Sequence, residues 1–308
     1  MGDLGGVLIR RVLSGVVALI LLVTGVFLVT RVMGDPVAGL AGEDATPERR
    51  AAIRERLGLD RPLPEQYFTY MSNVSRGDFG DSYRLSRPAM ELIVERLPAT
   101  LTLSALSMIL GIVVAIPVGV ISAIRPGSLL DSIGRTFSVL GQSVPLFWLG
   151  ILLIIVFAVN LQILPAGGRE SWQSLILPAS TLAFASLPLT MRITRSAMLE
   201  VLNKDYVRTA RAKGLREWRV ITGHVLRNAL IPVITVLALR LGNVVSGSVV
   251  LEEVFGYPGV GRVAVQALRS YDFPLIQAFI VMVGASIIII NLLADILYTV
   301  VDPRVRLN

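Results

Sequence analysis

The feature that most constrains this chain is a set of apolar runs too long for any soluble core. They lie at about 12–32, 99–124, 137–161, 175–199, 229–251 and 275–301. A helix needs about 20 apolar residues to cross hydrocarbon. In hydrocarbon every backbone N–H and C=O must find its partner inside the protein, which leaves helices or closed barrels. Continuous apolar runs, rather than alternating ones, select helices. The expected fold is therefore all-α: a polytopic membrane protein with six transmembrane helices. Hydrophobic residues make up 54% of the 308, which agrees.

Orientation follows from the cations. Asn203 to Pro232 is a polar stretch of about 30 residues between two apolar runs. It holds the only two lysines, Lys204 and Lys213, with Arg208, Arg211, Arg216, Arg219 and Arg227, against Asp205 and Glu217. Such an excess marks a cytoplasmic loop. Arg10 and Arg11 before the first run, and Arg125 in the short turn after the second, give the same orientation, with both termini cytoplasmic. The net charge of +7 is thus accounted for by orientation and by anionic lipid headgroups, and nucleic acid is not an expected partner. There is no cysteine, which excludes disulfides and thiolate metal sites.

Three regions are expected: 1–33, a tail and the first span; 34–98, an extracytoplasmic loop; and 99–308, a core of five spans with an inner loop at 203–228. The outer loop is larger than a connector requires. Thr46 followed by Pro47 predicts a capped helix to Leu57, and a second helix is expected over Arg61 to Val74. Pro145 is expected to kink the third span. In the inner loop, Asp205 favours a helix start and Gly214 a left-handed exit.

Nothing points to bond chemistry. The phosphate loop G-x-x-x-x-G-K-[ST] is missing, since Gly214 follows Lys213 rather than preceding it. A single histidine, His224, builds neither a metal site nor a triad. The expectation is no catalytic residue, no metal and no cofactor. Arg240 falls near the middle of the fifth span, where a charge costs from about 2.5 kcal/mol upward. It lines a solute pathway or makes a structural ion pair. Asp295, near the inner end of the last span, is read as a packing group, with an ion relay as the rival role. Glu252 and Glu253 are expected to be hydrated at the outer end of the fifth span.

The inner loop resembles the EAA loop of permease subunits of bacterial ABC importers. Arg208-Thr209-Ala210 stands where Glu-Ala-Ala often stands, and Gly214 is the matching glycine. Asp205 through Leu215 reads close to the peptide-importing subfamily. Past Gly214 the pattern departs: Leu226 fits, Arg227 replaces a proline, and Pro232 comes later. Leu57 to Pro64, Arg76 to Ser82, Leu164 to Gly168, Phe255 to Gly261 and Asp302-Pro303-Arg304 look like motifs of the DppB/OppB-like permeases of dipeptide and oligopeptide importers, in the same order.

That resemblance implies a bacterial inner-membrane permease. Its solute would be a di- or oligopeptide brought by an extracytoplasmic binding protein. Its partners would be a second, homologous permease and two cytoplasmic ATPase subunits or domains, which hold the ATP and magnesium. Asp205, Tyr206, Arg208, Thr209, Ala210, Lys213, Gly214 and Leu215 would couple to the ATPase. Ala210 and Ala212 would let the short helix approach a partner's groove closely. Asp60, Arg61, Asp78, Phe79 and Asp81 would help dock the binding protein. Nickel complexes and glutathione are alternative solutes within the same family. An ion-coupled secondary carrier is the alternative outside it.

Overall fold

The computed structural model describes residues 4–32, 36–41, 45–241 and 248–301. Among them the only strand-like feature is an isolated bridge between Asp81 and Pro88. Contacts divide the chain into two units, Met1–Thr100 with Pro258–Asn308, and Leu101–Tyr257.

The first unit contains α1 (Leu4–Val32), α2 (Pro36–Ala41), α3 (Pro47–Arg56), α4 (Leu63–Ser75) and the start of α5 (Ala89–Ile124). From the far end of the chain come two further helices, here α14 (Val260–Arg269) and α15 (Phe273–Val301). Thr46 caps α3, accepting from the Arg49 amide at 3.4 Å. α1 packs along α15, where Gln277 Nε2 donates to Thr30 Oγ1 at 3.0 Å. The segment between α1 and α5 sits on α1 through rings: Phe27 lies 5.4 Å from both Tyr67 and Tyr70. Its later part, residues 78–88, is held by Asp272, the residue before α15. That carboxylate accepts from Ser82 Oγ at 2.5 Å and from the Tyr83 and Arg84 amides at 3.1 and 3.4 Å.

The second unit holds the rest of α5, then α6 (Leu129–Leu140), α7 (Leu146–Leu153), α8 (Ile176–Phe184) and α9 (Leu187–Leu202). The short α10 (Asp205–Ala212) and α11 (Glu217–Arg219) lead into α12 (Arg227–Leu241), and α13 (Val249–Val254) ends the unit. Two segments are wound wider, as π-helix: Ile154–Asn160 after α7 and Val220–Leu226 before α12. Pro145 stands at the N-terminus of α7, so the third apolar run is broken there rather than merely kinked.

Among the described residues four helices are long and apolar enough to cross a membrane, and up to six spans result if each bent pair counts as one. The fourth run, expected as one rod over 175–199, is bent by 53° between α8 and α9. Pro188 in the first turn of α9 lacks the N–H needed to continue α8. Helices also begin earlier than hydropathy indicates, at Ala89 instead of 99 and at Glu217 instead of 229, because polar turns extend them beyond the apolar segment.

The spans carry apolar side chains on their outer faces, including Leu21 at 67% exposure and Val113 at 61%. Buried hydroxyls are satisfied within their own helix, as Thr181 on the Leu177 carbonyl and Thr194 on that of Thr190, both at 2.8 Å. Apolar outside with satisfied polar groups inside is the arrangement that a lipid solvent requires.

Candidate functional site

α10 has a buried side and an exposed side. Val207 is fully buried and Ala210 6% exposed; they pack with Ala123, Met198, Val220 and Val225. Asp205, Tyr206, Arg208, Thr209 and Ala212 point outward, as do Lys213, Gly214 and Leu215 at the exit. Ala210 therefore serves its own chain's core, which corrects the expectation that it faces a partner. Its period from Val207 is one helical step of three, which puts both on the same face.

The joint around α10 is tightly tied. Only Asn203 and Lys204 separate it from α9. The Asn228 amide donates to the Tyr206 hydroxyl at 3.0 Å, fastening α10 to α12. Gly214 turns the chain with φ +75°, a conformation that disfavours a side chain. Across that turn Arg211 grips Glu217 with two hydrogen bonds, 2.7 and 3.2 Å. This pair holds the Glu217 carboxyl below its ordinary range. Trp218, 60% exposed beneath the Arg219 guanidinium at 5.5 Å, adds an aromatic to the same surface. Trp218 and Asn228 belong to no motif in the sequence; the signal for Trp218 is a tryptophan among seven cations.

In the outer loop, Asp60, Arg61, Asp78 and Asp81 are exposed. Arg61 pairs with Glu65 at 3.2 Å, and Asp78 accepts from the Gly80 amide at 2.8 Å. Phe79 does not join them. It is 8% exposed and belongs to a core with Ala89, Ile93, Val260 and Phe273, so it is a packing residue and not a docking one. Glu252, expected to be hydrated, is fully buried and accepts from Ser248 Oγ at 2.8 Å. The side chains of Arg240 and Asp295, and the terminal Asp302-Pro303-Arg304, lie outside the described residues.

Two loops singled out in the sequence meet in the second unit. The Gly168 amide donates to the Phe255 carbonyl at 2.9 Å, and a side chain at Gly167 would fall on that same carbonyl. Among the described residues no group of three or more His, Cys, Asp or Glu could hold a metal ion.

Two family models cover nearly the whole chain. The binding-protein-dependent transport system inner membrane component matches residues 115–307, and its N-terminal counterpart matches residues 6–104. The chain belongs to this family. A probable peptide ABC transporter permease protein, y4tP, of Sinorhizobium fredii is 40% identical over 98% of this chain and 100% of its own length. The glutathione transport system permease protein GsiC of Salmonella choleraesuis is 40% identical over 97% and 98%. The dipeptide transport system permease protein DppB of Escherichia coli K12 is 40% identical over 89% and 90%. A chain of the MetNI methionine ABC transporter in an inward-facing conformation shares the fold with a TM-score of 0.57, at 21% identity over 69% of this chain and 97% of that one. This inner-membrane component is thus all-α and multi-pass, as its composition requires.

Proposed function

We propose that this chain is the permease subunit of an ATP-driven bacterial importer of di- or oligopeptides. A charged, amide-rich peptide cannot cross hydrocarbon unaided, so a path between helices must replace its water. The chain supplies half of that path and a second homologous permease the other half. An extracytoplasmic binding protein delivers the solute to the outer loop, using Asp60, Arg61, Asp78 and Asp81. Two cytoplasmic ATPase subunits hold ATP and magnesium, and no nucleotide chemistry occurs in this chain. Both termini are cytoplasmic.

The observation that carries this reading is the construction of α10. Its inner face is locked to its own chain by Val207, Ala210 and the Tyr206–Asn228 bond. Its outer face offers charges, and the turn after it adds exposed Leu215 and Trp218, the mixture that marks an interaction surface. A partner that moves on ATP binding can then push α9 and α12 as rigid bodies. Peptide is favoured over glutathione by the match of the loop to peptide-importing permeases.

The natural chain has no cysteine, so single cysteines give a clean test. With the complete transporter in vesicles, Thr209→Cys should cross-link to the ATPase subunit. Uptake of a labelled dipeptide should need ATP and survive a protonophore. Uptake that survives ATP depletion and collapses with the protonophore selects an ion-coupled carrier instead. Preferential uptake of glutathione changes the solute and leaves the mechanism.

A further inference from the structure

We infer that a groove between α5, α6 and α9 is a binding site for an anionic phospholipid. The groove is about 320 Å³ and is lined by Arg135, Arg192 and Arg195 with Ser122, Ser138 and Ser196. Two of the three guanidinium groups, those of Arg195 and Arg135, approach one carboxylate. Asp131, fully buried, takes Arg195 at 2.6 and 3.1 Å, the Gly127 amide at 2.9 Å and Arg135 at 3.6 Å. Both its oxygens are engaged, and Arg192 has no carboxylate partner among the described residues. The groove thus keeps two positive charges in excess, with hydroxyls beside them. A guanidinium fork fits two oxygens of one phosphate, and hydroxyls fit the rest of a headgroup.

The surroundings distinguish a lipid from a free anion. At Gly134 and Met191 the cationic groove adjoins an apolar one of about 500 Å³, lined by Val118, Leu129, Leu130, Ile133 and Phe137. Leu129 is 78% exposed, Ile133 60% and Val139 69%. Such a surface is stable only against acyl chains or another apolar body. A cationic pocket opening onto an apolar channel matches the two halves of one phospholipid, and basic pockets between membrane helices are known to hold such headgroups. α9 carries both Arg192 and Arg195 and, further along, Met198, which packs against Val207 of α10. A lipid seated here braces the root of the helix that leads to α10.

The test uses the complete transporter in nanodiscs of phosphatidylcholine doped with phosphatidylglycerol, with retained lipid counted by native mass spectrometry. Phosphatidylglycerol should be retained by the wild type and more weakly by Arg135→Gln/Arg192→Gln. The expected loss is about fivefold per arginine, from about 1 kcal/mol per basic residue near an anionic surface. Arg125→Gln, outside the groove, should not change retention. Should the glutamine pair fail to assemble, Arg135→Lys/Arg192→Lys carries the test, with an intermediate loss expected from charge without the fork. Equal retention by wild type and variants overturns the inference. So does displacement of the lipid by millimolar inorganic phosphate, which makes the groove a small-anion site. Cross-linking of Arg192→Cys to the second permease in place of lipid overturns it as well.

Discussion

Ser82 donates its hydroxyl to the carboxylate of Asp272 at 2.5 Å, joining residues 190 apart in sequence. Both side chains are buried, and the same carboxylate takes two further backbone amides from the loop. One acid thereby holds residues 82–84 on the start of α15. Asp272→Ala should destabilise this unit by about 2–3 kcal/mol, since charged hydrogen bonds are lost and the buried Ser82 hydroxyl, still accepting from the Leu85 amide, has no acceptor for its own hydrogen. Ser82→Ala should cost about 1 kcal/mol. Thermal unfolding in detergent, with trypsin cleavage after the exposed Arg84, reads both. Unchanged cleavage in Asp272→Ala would show that the loop is held elsewhere.

Gly214→Val forces a branched side chain into left-handed backbone, at about 1–2 kcal/mol. Space is not the obstacle, because a Cβ there meets nothing. The turn between α10 and α11 should relax, and peptide uptake should fall while nucleotide hydrolysis by the assembled complex continues. Comparing the two rates in one vesicle preparation checks this. Parallel loss of both points to failed assembly instead.

Asp131→Ala should cost about 2–3 kcal/mol, because the part-exposed Arg195 and the Gly127 amide lose the buried carboxylate that they bond. Asp131→Ala combined with Arg195→Met should recover part of that loss, since an apolar pair leaves no uncompensated charge. A double-mutant cycle on unfolding midpoints measures the coupling. Additive losses would show that the two residues act independently.

Gly167→Ala tests the meeting of the Gly167–Gly168 turn with Phe255. Its methyl group would occupy the place of the Phe255 carbonyl, so one loop must lift. Overpacking of this kind costs about 1–3 kcal/mol. Hydrogen exchange at the Gly168 amide, which bonds that carbonyl, should speed up in the variant.

The Arg211–Glu217 clasp should respond to acid. The folded-state pKa of Glu217 is depressed below the ordinary 4.5, so its stabilisation is complete above that value and fades as pH falls through the lower folded one. Both side chains are largely exposed, which limits the effect to less than about 1 kcal/mol. Cleavage in the 213–219 turn by an acid-active protease should increase in that window, and Glu217→Gln should show the faster cleavage at every pH. A pH-independent difference between wild type and water-exposed controls would remove the clasp from the account.

Much of this molecule is written in local sequence. Thr46-Pro47 starts a helix, Gly214 ends one, and apolar length marks the spans. Phe79 misled because Gly-Asp-Phe-Gly reads as a polar turn, while its ring is claimed by residues of α14 and α15 some 180 positions away. Glu252 misled in the same way: the hydroxyl that donates to it, Ser248, is close in sequence, but the helix that carries it packs against the distant α7 and α8. Ala210 was assigned to the wrong face although its spacing from Val207 held the answer. The wide helical turns at Ile154–Asn160 and Val220–Leu226 have no residue pattern that separates them from ordinary helix. The cationic groove joins Arg135 to Arg192 and Arg195 from separate helices, so only packing could reveal it.

The tie between Tyr206 and Asn228 bears on how far a push can travel. With two residues leading into α10 and a hydrogen bond riveting it to α12, the knuckle has almost no slack. Under the proposed function, a displacement delivered to its outer face would reach the ends of α9 and α12 together. A longer or looser link at 203–204 would absorb the stroke before it reached the bilayer.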